Sequence, residues 1–332
     1  MRKSLIPIFP AYFVIVNQGP GWNVDGIALH QAACRNRIPW GVTRIPLAWQ
    51  SKLVLLVVLP AVATDVALKT QWWGAQAAPT AAWTLGLSLV LGLVTWQLRA
   101  ATPAAAMTGA VVTASLMYST VVFPYGPWHT ALAPVLLVSL LAFASTRLGR
   151  AKKERLGTAE KHGGRSAAQV AANLGVAALV SSELMQSWVA DTHGFPRLAP
   201  EQAPLLVAGL AALAEAAADT VSSELGQVFG GQPRMITTMR RAAPGVDGAI
   251  SGVGTLAGVV AAAAVSGAGT WALRGHAQMF AVSCGGGVFG LLFDSLLGAT
   301  LEQRGWLNND AVNFLSTASA AAFALGVLVA VR

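Results

Sequence analysis

Between residues 214 and 254 the chain sets carboxylates and arginines close together. Glu215, Asp219 and Glu224 close a strongly apolar segment that ends in Ala218-Asp219-Thr220-Val221-Ser222-Ser223-Glu224. A glycine-rich loop follows, carrying Gly230, Gly231, Arg234, Thr237, Thr238, Arg240 and Arg241. Carboxylates hold divalent cations, whereas arginine forks and bare backbone N–H groups hold phosphate. These residue types, beside what reads as a membrane surface, point to a phosphate-handling site. Two more acids belong to the same question. Asp294 stands near the end of a later apolar run, and Asp310 opens the last one, in Asn308-Asn309-Asp310-Ala311-Val312-Asn313.

The elements that must position these groups follow from composition. The 332 residues are 55% hydrophobic and only 11% charged, against roughly 25% charged in soluble domains. Such a chain cannot cover a globular surface with ionic groups. Its apolar runs are continuous and rich in Ala and Leu rather than alternating, which favours membrane helices over a barrel. The reading is all-α, a polytopic transmembrane helical bundle of about nine spans, at residues 53–69, 83–98, 104–123, 129–147, 166–186, 203–221, 249–270, 278–297 and 311–331. Four regions result: an interfacial or re-entrant preamble over 1–52, transmembrane helices over 53–147, a basic cytoplasmic loop over 148–165, and a second set of helices and loops over 166–332 that carries the site. The start Met-Arg-Lys before an apolar stretch resembles a signal peptide, but Pro7 and Pro10 interrupt it and no small-residue cleavage site follows closely.

The net charge of +8 does not imply nucleic acid, because in a membrane protein the placement of Lys and Arg carries the information. With the N-terminus inside, eighteen of the 22 basic residues fall in internal segments. The positive-inside rule therefore puts the loop 147–165 and the arginines after residue 230 in the cytoplasm. Trp72, Trp73, Trp128, Trp188 and Trp271 then lie at outer ends, as an interfacial belt requires.

Depth brings the acids together. Asp219 and Asp294 each lie sixteen residues into spans that begin outside. At 1.5 Å per residue both reach roughly 24 Å into a core about 30 Å thick. Asp310 opens the last span on that same face, so three carboxylates from three helices arrive at one level, as a metal site needs. An ionised Asp at mid-helix costs about 2.5–3.5 kcal/mol, so a cation, an arginine or local water must compensate it. Pairing of Asp219 or Asp294 with Arg234, Arg240 or Arg241, simply to join helices, is the competing explanation. Glu215 shares a helical face with Asp219, as Asn309 does with Asn313.

Several features carry structural readings of their own. Gln169 and Asn173 are spaced as interhelical polar contacts. Asp65 and Glu183 read as wet interfacial residues. Gly285–Gly287, Gly290, Gly252 and Gly254 suit close helix contact. The 147–165 loop is either a basic stop-transfer cluster or a mobile lid over phosphates. Two cysteines, Cys34 and Cys284, make neither a disulfide framework nor a zinc site. The P-loop, HExxH and GxSxG patterns are absent.

Three blocks resemble a family of integral membrane proteins that includes the plant phytyl-phosphate kinase of tocopherol synthesis. They are Thr146-Arg-Leu-Gly-Arg150 with Gly164-Arg-Ser-Ala-Ala-Gln-Val-Ala-Ala-Asn173; Ala218-Asp-Thr-Val-Ser-Ser-Glu-Leu-Gly226 with Pro233-Arg-Met-Ile-Thr-Thr238 and Gly245-Val-Asp-Gly248; and Asp294-Ser-Leu-Leu-Gly-Ala-Thr300 with Asn308-Asn-Asp-Ala-Val-Asn-Phe314. The resemblance implies transfer of a phosphoryl group from a nucleoside triphosphate (CTP or another) to an isoprenyl monophosphate, giving the diphosphate. With that implication, Asp219, Asp294 and Asp310 become Mg²⁺ ligands and Glu224 a fourth. Arg234, Arg240, Arg241, Thr237, Thr238, Gly230 and Gly231 become phosphate and nucleotide contacts, and Asn309 and Asn313 orient the metal shell. The acceptor is already a phosphate monoester, so no strong base is needed. A flippase or transporter of an anionic lipid or metabolite and a cytidylyltransferase forming a CDP-lipid are the alternative readings.

Overall fold

The computed structural model describes residues 5–7, 13–15, 48–159, 163–193 and 204–331. The chain divides into a unit of residues Met1–Ile45 and one of Pro46–Arg332. In the first, β1 (Leu5–Pro7) pairs antiparallel with β2 (Phe13–Ile15). The rest of the expected preamble up to residue 47, including Arg35, Arg37, Arg44 and Trp40, lies outside the described residues.

The second unit is helical: α1 (Ala48–Gln76), α2 (Ala78–Gln97), α3 (Pro103–Ser119), α4 (Leu132–Arg147), α5 (Arg150–Leu156), α6 (Ala167–Ser181), α7 (Glu183–His193), α8 (Pro204–Phe229), α9 (Gly252–Ala272), α10 (Ala277–Leu297) and α11 (Asn309–Ala330). Nine of these occupy the nine apolar stretches. Six are long and apolar enough to cross a membrane, or eight if the bent pairs α4–α5 (64°) and α6–α7 (49°) each count as one span. Helix α3, with 17 residues, is the shortest of the apolar set after α4 and α6. The stretch expected as a plain loop after residue 147 instead folds back as α5, because Gly149 and Gly157 adopt left-handed backbone at its two ends.

Helix α8 is the axis of the bundle. Its apolar window is 89% buried inside the protein, against 28–39% for the other five unbent spans. Lipid is as apolar as leucine, so helices associate in a bilayer through close packing rather than through exclusion of water. The sequence supplies the small residues that this requires. A Cβ on Gly287 would stand 2.8 Å from Ala214 Cβ, and one on Gly290 would stand 2.9 Å from Ala320 Cβ and 3.0 Å from the Ser316 carbonyl oxygen. Gly254 likewise faces the Ser222 carbonyl at 2.7 Å, whereas Gly252 has open space beside it.

The connections sort into two ends. At the basic end, Arg147 donates to the Leu98 carbonyl at 2.6 Å, Arg165 bridges to Ala101, and Gln303 donates to the Asp247 carbonyl at 2.8 Å. There Asn308 also binds Gln50 and Ser51 at the start of α1. At the opposite end His129 meets the Ala272 carbonyl, and Trp73 packs on Trp72 and Phe123. Exposed tryptophans ring both ends, with Trp72, Trp128, Trp188 and Trp271 at one and Trp49, Trp96 and Trp306 at the other. Two belts are what a spanning bundle presents to two interfaces.

Two sequence readings are corrected here. Asp65 is not wet: it is 2% exposed and sits 3.2 Å from Lys69 Nζ, and Ser115 donates to it at 2.6 Å. The lysine one turn on and a hydroxyl from α3 together satisfy the carboxylate. Gln169 and Asn173 do not bridge helices. Gln169 closes a capping box with Ser166 at the start of α6, and Asn173 donates to the Gln169 carbonyl of its own helix.

Candidate functional site

At the basic end a polar cavity of about 220 Å³ opens between α8, α10, the start of α11 and the segment 244–251. Asp219 and Asp294 both line it, with Gln227, Glu302, Asn309 and Ser251 among the other polar groups. The alanine-rich run of α8 carries Asp219 to this depth, and the small residues of α10 bring Asp294 opposite it. Ser223, one turn after Asp219, donates to its Oδ1 at 3.4 Å. Glu215 lies one turn deeper and is 1% exposed. Both Glu215 and Asp294 interact with the Ser316 hydroxyl of α11, and the charge of Asp219 acts on both of them.

The oxygens left over are informative. Glu215 Oε1, Asp294 Oδ2 and Gln227 Oε1 are buried with no hydrogen-bond partner. A carboxylate oxygen is an acceptor only, and an acceptor buried without a donor costs about 1–3 kcal/mol or more. Hard oxygens of this kind suit Mg²⁺. Among the described residues no three His, Cys, Asp or Glu side chains form a ready-made metal shell. The three-carboxylate shell expected from the sequence is therefore not assembled. What remains is the pair Asp219 and Asp294, the one or two carboxylates that Mg²⁺ takes when water and substrate phosphate complete its six ligands. The residues therefore fit the ion as a shared, substrate-completed site.

The sequence-predicted groups separate into those brought together and those held apart. Asp219, Asp294 and Asn309 line the cavity. Asn313, 9% exposed, continues the same face of α11 toward Ser316. Asp310 does not line the cavity. Asn308 caps α11 by accepting from the Ala311 N–H, so Asp310 falls in the first helical turn on another face, where it complements the helix dipole. Glu224 is taken by Lys153, whose Nζ lies 2.6 Å from its Oε2, and by Thr146 at 3.1 Å. Lys153 is 1% exposed and also donates to the Ser145 and Thr146 carbonyls, so this ion pair clamps α5 to α8.

The loop arginines behave differently from expectation. Arg234, Arg240 and Arg241 are exposed, and none lines the cavity. Arg234 donates to the Met239 carbonyl at 2.9 Å, and its strand β3 (Arg234–Met235) pairs with β4 (Ala249–Ile250), turning the three guanidinia outward. Thr237 and Thr238 are exposed in the same turn. Gly231 takes positive φ where α8 ends, and Gly230 lies against the Ser251 side chain. The basic group that does reach the acids is Arg165. It approaches Thr220 Oγ1 at 3.4 Å, and its charge acts on Asp219. In the sequence it stands only as the last residue of the basic loop 147–165, one reading of which is a lid over phosphates, and within the block that begins at Gly164.

Comparison with known proteins places these blocks. The model of the family described as integral membrane protein DUF92 matches residues 86–321. The uncharacterized membrane protein MJ0933 of Methanocaldococcus jannaschii is 42% identical over 112 residues, which are 34% of this chain and 47% of that protein. The chain thus matches about half the length of that relative. The uncharacterized membrane protein sll0875 of Synechocystis is 31% identical over 58% of this chain and 72% of its own length. Protein VTE6, chloroplastic, of Arabidopsis thaliana is 28% identical over 58% of this chain and 55% of its own length. No solved structure matches.

Proposed function

The chain belongs to the DUF92 family of integral membrane proteins, and from that premise we propose that it is a membrane phosphotransferase acting on an isoprenyl monophosphate. A nucleoside triphosphate, CTP or another, is the donor, and the site faces the cytoplasm. The observation that carries the reading is the pair Asp219 and Asp294 in one cavity, with Asp294 Oδ2 and Glu215 Oε1 buried and unpartnered. A scaffold would have no use for such oxygens, whereas a phosphate-handling site needs them. The family resemblance in the sequence supplies the substrate class.

In this reading an oxygen of the acceptor phosphate attacks the terminal phosphorus of the nucleotide. The new P–O bond forms as the bond to the bridging oxygen breaks, and that oxygen leaves with its electron pair on the nucleoside diphosphate. A bound Mg²⁺ would supply charge neutralisation to the phosphate oxygens. Asp219 and Asp294 would hold it, with the Gln227 side chain within the same cavity. The N-terminal ends of α9 and α11 border the cavity at Ser251 and Asn309, and helix N-termini favour phosphate. Arg165 would donate to the transferring oxygens. Arg234, Arg240 and Arg241, standing outside, would meet only the distal part of a nucleotide.

The test is to incubate the purified protein with Mg²⁺, labelled CTP or ATP, and a panel of prenyl monophosphates. Prenyl diphosphate with nucleoside diphosphate is the expected product pair. Release of pyrophosphate would make the protein a cytidylyltransferase. Absence of product across the panel would overturn the enzyme reading and favour a carrier of anionic lipid.

A further inference from the structure

A second, larger cavity of about 350 Å³ is enclosed by α2, α3, α4 and α6 and reaches α8 at Ala216. Its walls are mostly apolar, among them Leu91, Val138, Phe143 and Leu174, with Thr113, Ser139 and Asn173 as polar points. Its mouth is of opposite character. Arg99, Arg147, Arg150 and Arg165 all line it, and among the described residues no carboxylate does. Four cations converge there from three separate segments of chain. Arg147 is held by the Leu98 carbonyl and lies over the Phe143 ring at 4.5 Å. Arg150 is already engaged by Glu154 at 2.8 Å. Arg165 is anchored by backbone bonds to the 100–102 segment.

We infer that this cavity is the binding site for a single-chain lipid phosphate monoester, its apolar chain between α3, α4 and α6 and its phosphate at the arginine mouth. An oily cleft ending in a cationic rim is complementary to one tail and one anionic head. The volume is near the lower end of the small-molecule range of roughly 300–1,000 Å³, which suits one chain rather than the two of a bilayer phospholipid. Helix α8 then borders both chambers, on adjoining faces one turn apart. Ala216 lines the apolar one and Asp219 the polar one, three residues apart on the helix. Arg165 touches both sides: it lines the apolar chamber, and its charge acts on Asp219. A phosphate held by Arg165 would thus lie beside the carboxylates that handle the donor. That last step rests on the phosphotransferase reading, whereas the binding itself does not.

The experiment uses the full chain in nanodiscs without nucleotide. A diazirine-bearing prenyl monophosphate is photocrosslinked and the adduct mapped by mass spectrometry, with the matching prenyl alcohol and inorganic phosphate as competitors. Adducts on α3, α4 or α6, competed by prenyl monophosphate at least tenfold better than by either partial ligand, are expected. Gly109→Leu, which fills open space beside Val170 in the cavity wall, should weaken labelling at least tenfold. Arg147→Gln should do so in the fraction that remains folded, with only the small fall in melting temperature that its lost Leu98 and Phe143 contacts bring. In the transfer assay both should raise the KM for lipid with little change in that for nucleotide. Adducts confined to the outer, lipid-facing surface, or labelling indifferent to both variants, would overturn the assignment. Transfer that proceeds with an unchanged lipid KM in both variants would remove this cavity but leave the phosphotransferase standing. Specific labelling with no phosphoryl transfer from any nucleotide would do the reverse.

Discussion

The bundle buries acids at both ends, and it treats them in opposite ways. Toward the aromatic end Asp65 has a lysine at 3.2 Å and a serine at 2.6 Å, and that lysine has Ser119 at 2.9 Å. Toward the basic end Glu215 and Asp294 each keep a buried oxygen that no donor reaches. Both sets sit deep in an apolar bundle, so the cost of burying charge is comparable. What differs is whether the protein itself supplies the compensation. A closed ion pair is finished at folding and joins α1 to α3. An open set awaits something from outside the chain, which is the physical signature of a site.

Mutations at the two ends should therefore part company. Asp65→Asn leaves Lys69 buried beside a neutral partner and should destabilise by about 3–5 kcal/mol, read from unfolding in mixed detergent. The folded fraction should keep its full transfer rate, and a lost rate there would merge the two ends. Asp294→Asn should do the converse, lowering the rate by about 10²-fold or more, roughly 2.7 kcal/mol of barrier. Its unfolding midpoint should hold or rise, because an uncompensated charge has been removed. A fall in stability matching that of Asp65→Asn would mean that Asp294 is a structural ion. Glu224→Gln falls between them. Lys153 keeps two carbonyl acceptors, so a loss of about 1.5 kcal/mol is expected, with a modest change in rate as α5 loosens. Arg240→Ala, exposed and outside the cavity, should shift stability by less than about 0.5 kcal/mol. A rate change beyond a few-fold would return the 230–241 loop to the site.

The contrast also marks where sequence reading runs out. Long apolar runs located the nine helices because burial in lipid writes itself along a segment without reference to any other. Equal depth from the outer ends anticipated that Asp219 and Asp294 would share a level, since helical rise is constant. Partners were another matter. Nothing local joins Asp65 to Ser115, 50 residues on, or Glu224 to Lys153, 71 residues back. Arg165 stayed inside an unresolved choice between stop-transfer cluster and lid, whereas Arg234, Arg240 and Arg241 were named because proximity in sequence stood in for proximity in space, and a short hairpin turns those three away. Asp310 misled for a related reason: right depth, wrong side of its helix. The role of Gln169 was available in Ser166-x-x-Gln169, a helix-start pattern that the interhelical reading overlooked.

The near-complete enclosure of α8 has a consequence for how the protein is made. The ribosome delivers this helix after α4 and α6 but before α9, α10 and α11, which wall off much of its circumference. For that interval Glu215 and Asp219 ride a segment with an unfinished flank, at a depth where hydrocarbon repels them. Membrane integration must then be concerted over the last four helices, with the acidic helix retained at the insertion machinery until its later neighbours emerge. A chain halted just after residue 229 should slip back toward water instead of settling in the bilayer.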